Sequence, residues 1–428
     1  NNAGGPWTTL ALWLIGGLLA WCGAVCYAEL ATTYPRDGGD YEYLNRAYGR
    51  WCGFLFAWSQ LVTIISGNIA IMAYAFADYG ARIWPAWDKP IPMAALSAVI
   101  ALSALNALGV AAGKITQNVL TATKVLGIAA IVLAGVGFAF AKPRFAPSLP
   151  PPAIKSTSVA LALVFVLYAF GGWAHAAYVA AEVRDQRRNL PRALGFGIAA
   201  ITLIYLIVNA AYIYVLGFDI ARHTATPAAD VMDHVFGSWG TDAVSKLVML
   251  SALGAINGMI LTGTRVYAVW AADYPPLNWL ASWNRRRVAP VAAIAVQALI
   301  AVFLILLVGT YAGRQAFNVA LSTAGLRPVL WERFNGGFET LIVGSAPLFW
   351  LLTLLTAVSV FILRYRDPSA ERPFKIPMFP LPALLFCATC IYMLHASLVY
   401  AKWLSLIGFV PAAIGCAVRF ALRPKSRS

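Results

Sequence analysis

Apolar residues fill this chain in long unbroken runs, with polar and charged residues gathered in short stretches between them. A helix needs about 20 residues to cross a hydrocarbon layer. Runs of that length span residues 8–28, 53–77, 91–113, 115–141, 156–181, 193–218, 247–272, 288–313, 340–363, 376–401 and 403–422. None shows the period-two alternation of a membrane barrel strand, and unpaired peptide groups are too costly in lipid for anything but helices or closed barrels. The pattern predicts an all-α polytopic membrane protein with eleven helices.

Two connections hold more than turn residues. In residues 35–50, PRDGGDYEYLNRAYGR, a glycine pair permits a sharp turn before aromatic and charged residues suited to an interface. The longest connection, residues 314–339, mixes apolar and charged residues and has room for a short interfacial helix.

Composition agrees: 61% hydrophobic and 11% charged over 428 residues, with mean hydropathy +0.72. That is more apolar surface than one soluble core of this length buries. The net charge of +15 would suit nucleic acid if it lay on one face or tail, but the basic residues stand in short clusters between the runs. One set of alternate loops, which includes Arg36, Arg187 and Arg372, holds 18 Lys and Arg; the other holds 10. The richer set is assigned to the cytoplasm, and the carboxyl terminus with it. Eleven crossings then place Asn1 outside without a signal peptide, so a further helix upstream, twelve in all, is expected. The six cysteines show no metal-site spacing, and no metal, cofactor or disulfide framework is expected.

The segment 165–183, FVLYAFGGWAHAAYVAAEV, sets Gly171 and Gly172 near the middle of a spanning run. Paired glycines there either break the helix, freeing carbonyls of one half and N–H groups of the other for an ammonium and a carboxylate, or let a neighbouring helix approach closely. Lys124 lies near the centre of its run, where an ammonium costs about 2.5–3.5 kcal/mol on insertion scales. It is expected to face the bundle interior, as a fixed substitute for a cation or as a proton carrier. Asn68 and Asn257 are mid-run amides suited to bonds between helices, and Asn257 is also a candidate substrate contact. Glu29, Glu182 and Arg265 read as solvated or loop-paired charges near helix ends, and His175 as a packing residue.

Several segments resemble amino acid permeases of the amino acid-polyamine-organocation superfamily, nearest its L-type branch. They are AGGPWTTLALWLIGGLLAWCGAVCYAELATTYPRDGGDYEYLNRAYG, YAFGGW at 168–173, EVRDQRRNLPRAL, ALGAINGMILTGTRVYAV and LRYRDPSAERPFKIP, which together draw on nearly the whole chain. The resemblance implies one permease domain with a leucine-transporter-type five-plus-five inverted repeat and two further helices. Residues 1–155 would be the rest of the first repeat, whose first helix is absent from this chain; 156–363 would be the second repeat and 376–422 the added pair. It places Tyr168 as a gate over the substrate and the carbonyls of Tyr168, Ala169 and Phe170 against the ammonium. Gly171 and Gly172 form the break beside Trp173, and Lys124 stands where other members bind sodium. Ala174 replaces a polar substrate contact, which argues against cationic substrates. Residues 80–90 lack the cysteine that tethers mammalian relatives to a heavy subunit, so no disulfide-linked partner is expected. The implied activity is sodium-independent uptake or exchange of neutral amino acids across a plasma or bacterial inner membrane, with proton symport as the alternative. An intramembrane enzyme would need paired mid-membrane aspartates or an HExxH motif, and a channel a ring of like charges or repeated carbonyl loops; neither pattern is present.

Overall fold

In the computed structural model the described residues are 4–36, 38–87, 91–141, 162–163, 166–167, 169–174, 183–222, 227–282, 289–334 and 336–422. Helix α1 (Pro6–Thr33) starts on a proline, which suits a first turn whose N–H groups have no helical partner. Gly38 and Gly39, both at positive φ, turn the chain into the short helix α2 (Asp40–Tyr48). Its acidic Asp40 and Glu42 lie in the first turn and Arg46 in the last, matching the helix dipole. After Gly49 comes α3 (Arg50–Ile83), interrupted by a π turn at Gln60–Ile64 where Ile65 N–H donates to the Gln60 carbonyl.

Helices α4 (Ile91–Leu108) and α5 (Val110–Ala141) are separated at Gly109, φ +150. The sequence places this boundary at residues 113–115, but apolar residues lie on both sides of Gly109 and hydropathy does not register the kink. Then follow α6 (Gln186–Leu216), short α7 (Pro227–Phe236), α8 (Ser238–Ala272) and α9 (Val291–Gly309). Helix α10 (Tyr311–Thr323), capped by the Thr310 hydroxyl accepting from Gly313 N–H at 3.0 Å, lies at the start of the connection that has room for a short helix. Helix α11 is Gly336–Arg366, α12 Leu381–Ala401 and α13 Leu406–Ala421. The last two join at Lys402 into a stretch of 41 residues, about twice what one crossing needs, and so make two.

Ten of the eleven expected runs are helical, and the other, 156–181, lies largely outside the described residues. Eight stretches of the described chain are long and apolar enough to cross a membrane. Their outward faces carry large apolar side chains, among them Leu18, Ile100, Phe196, Phe303 and Phe420. A belt of that kind is matched to lipid tails.

The helix order long, short, long, medium occurs twice, in α1–α4 and in α6–α9. Helix α1 packs on α6, α3 on α8 and α4 on α9, so the longer helices of the first series meet their counterparts in the second. The connections assigned to one side of the membrane also meet at one end of the bundle. There Tyr34 donates to Asp367 at 3.1 Å, Tyr41 to Asp273 at 2.7 Å, Arg366 to the Ala47 carbonyl at 2.8 Å, and Arg187 pairs with Glu371. Burial, with Asp367 beside it, pushes the Tyr34 hydroxyl up to about 12, so it stays a neutral donor.

Candidate functional site

The break expected at the glycine pair is visible in residues 166–167 and 169–174. The N–H of Phe170 donates to the Val166 carbonyl at 3.2 Å, and past Ala169 the helix gives way to a turn. Gly172 takes φ +98, and a Cβ built there would meet nothing within 4 Å. The backbone then leaves through Trp173 and Ala174 in a tight helical turn. The Phe170 ring is held between Trp13 and Tyr205, with centroids 6.0 and 5.2 Å away, and Trp173 packs edge-on against Tyr27 at 5.1 Å.

The turn opens on a cavity of about 550 Å³. Leu167, Phe170, Gly171, Gly172, Trp173 and Ala174 form one wall. Around them stand α1 (Ala20, Tyr27), α3 (Gln60, Asn68, Met72), α5 (Gln117, Lys124), α8 (Gly254, Gly258, Thr262), α11 (Ser345, Phe349, Thr353) and α12 (Phe386, Thr389). The wall is mostly apolar with a few convergent polar groups, the usual make-up of a small-molecule site. Lys124 is half-buried and faces the space, and among the described residues no carboxylate pairs with it.

Other expected site residues lie elsewhere. The Ala169 carbonyl accepts from the Tyr205 hydroxyl at 3.0 Å, and Ala169 is not part of the cavity wall. Asn257 is fully buried behind the wall, with its amide bonded to Asn106, Gly113 and Gln117, whereas Asn68, its companion in the sequence, lines the cavity. Tyr168, His175 and Glu182 lie outside the described residues. Gln60 and Gln117 line the space without having been singled out. Their signal was present, a lone amide inside an apolar run, but it is the same signal a packing residue gives.

Glu29 is 3% exposed at the end of α1. It accepts from Arg364 Nε at 2.7 Å and the Ile376 N–H at 2.7 Å, with Arg372 Nε 3.8 Å away. It fastens α1 to the end of α11 and the segment after it, and is not among the residues lining the cavity.

Residues 1–418 match the profile of the amino acid permease family. The b(0,+)-type amino acid transporter 1 of Mus musculus is 28% identical over 378 residues, covering 86% of this chain and 71% of that one. The large neutral amino acids transporter small subunit 2 of Rattus norvegicus is 28% identical over 401 residues, 91% of this chain and 69% of the other. Among solved structures, a mutant of the manganese transporter of Eremococcus coleocola aligns over 96% of this chain and 86% of its own, with TM-score 0.57 and 16% identity. At that identity the likeness speaks for the fold alone, a leucine-transporter-type bundle.

Proposed function

The chain belongs to the amino acid permease family, and from that premise we propose that it moves neutral L-amino acids across a cell membrane by alternating access, without sodium. The observation that carries the reading is the turn at Phe170–Gly172, opening on a cavity of about 550 Å³. Such a break leaves peptide dipoles unpaired at the bundle centre, where they grip a zwitterion's charged ends without charged side chains. Gly171, Gly172 and the backbone of Phe170 are the proposed contacts, with Trp173 as a wall and Tyr168 as the gate. The apolar remainder of the cavity suits uncharged substrate side chains.

Lys124 supports sodium independence because an ammonium facing the cavity already supplies a positive charge there. Proton symport is the second reading, favoured by the same unpaired ammonium acting as a proton carrier. The name of one group of relatives, a transporter small subunit, suggests a partner. Residues 80–90 of this chain hold no cysteine, so we propose that any partner is held without a disulfide. The uneven share of Lys and Arg between alternate loops supports a cytoplasmic carboxyl terminus.

Uptake of labelled amino acids into proteoliposomes, with sodium, proton or no gradient and with or without amino acid inside, tests the whole reading. Saturable uptake or exchange of neutral amino acids in sodium-free buffer is expected. Strict sodium dependence would overturn the role given to Lys124, and acceleration by an inward proton gradient would select symport.

A further inference from the structure

Three side-chain amides, Asn106 and Asn257 behind the cavity wall and Gln117 on it, form a chain with a fixed direction. Asn106 donates to the Leu102 carbonyl at 2.8 Å and to Asn257 Oδ1 at 2.7 Å. Asn257 donates in turn to the Gly113 carbonyl at 3.0 Å and to Gln117 Oε1 at 2.9 Å. Main-chain carbonyls only accept, so Asn106 and Asn257 must each turn an NH2 toward one, and neither amide can flip without setting oxygen against oxygen. The direction is thereby fixed at both nodes. The Gln117 oxygen must face Asn257, and its NH2 is left for the cavity side, with only the Thr121 hydroxyl as a distant acceptor at 3.4 Å. The space between the chain's members is tight: a Cβ added to Gly113 would fall 2.4 Å from Asn106 Oδ1.

We infer that Gln117 is a specificity-determining residue whose NH2 donates to an acceptor oxygen on the substrate side chain, with Asn257 and Asn106 as positioning residues that fix its direction. The inference rests on the cavity being the amino acid site. The peptide groups of the broken helix serve the substrate's charged ends on another wall, which leaves a donor on α5 for the side chain. Gln117 is half-buried; a substrate that closes this donor off from water without offering it an acceptor carries a penalty, so the site favours neutral amino acids bearing an amide or hydroxyl over apolar ones of similar length.

The test measures KM and kcat for labelled glutamine and labelled methionine in proteoliposomes, for wild type, Gln117→Met and Asn257→Leu. Gln117→Met keeps the length of the side chain and removes the donor. It should raise KM for glutamine about tenfold more than KM for methionine, with little change in kcat. Asn257→Leu should shift the same ratio without touching substrate, because the freed Gln117 amide can then turn either way. The double variant should be no worse than Gln117→Met alone. Equal shifts for both amino acids, or none, in Gln117→Met would overturn the inference even if Asn257→Leu fails to fold. Absence of saturable uptake by wild type would instead overturn the transport reading beneath it.

Discussion

Gly172 holds φ +98 with open space where a side chain would begin, so Gly172→Ala is penalised by backbone conformation and not by a clash. The cost is about 1–2 kcal/mol. Uptake by Gly172→Ala should fall several-fold, and Gly172→Asn, which visits positive φ more readily, should recover part of it. Lys124→Ala should reduce uptake at least tenfold while thermal unfolding in detergent stays near wild type, since a half-buried ammonium contributes function more than fold. At this scale the sequence was partly legible. The glycine pair and Lys124 stood out because each breaks a strong local expectation. The difference between Asn68, on the cavity, and Asn257, behind it, depends on helix rotation, which shifts by about 100° per residue and leaves no mark on composition. That the Ala169 carbonyl accepts from Tyr205 depends on a residue 36 positions away.

The elements are held at one end of the bundle by two kinds of charge pair, and they predict different penalties. Glu29 is 3% exposed and neutralises arginines whose side chains are 24% and 10% exposed. Glu29→Gln leaves those cations uncompensated in a poorly hydrated place and should destabilise by on the order of 3 kcal/mol, read as a fall in unfolding temperature. Arg187 and Glu371 are 60% and 73% exposed, and Arg187→Ala should change the melting temperature little. Spans were legible at this scale because hydropathy reports them directly. Boundaries were less so: α6 begins at Gln186, seven residues before the apolar run and with Pro191 inside the helix, a start that hydropathy does not report. The π turn in α3 is invisible in composition, since QLVTI reads as ordinary helix.

Across the whole molecule, alternate connections converge at one end, as a chain crossing a membrane back and forth requires. A protease site added after Ser428 should be cut in inside-out vesicles and protected in right-side-out ones, given the Lys and Arg distribution. Cutting in the reverse pattern would invert the assigned topology. The pairing of α1 with α6, α3 with α8 and α4 with α9 could not be read from hydropathy, because apolar runs carry no address. The resemblance to a known family implied an inverted repeat but named none of these contacts.

The π turn governs which face of α3 meets the cavity. Phe56, Gln60, Ile64, Asn68 and Met72 all line it, a strict spacing of four. In an uninterrupted α-helix the first and last of these would differ in angle by about 160°. The wider turn at Gln60–Ile64 absorbs much of that drift and keeps the series in phase. Removing one residue, such as Val62, would restore regular winding and, because the π turn takes up one extra residue, leave Phe56 and Met72 only about 60° apart, so Asn68 and Met72 stay on the cavity face and uptake survives.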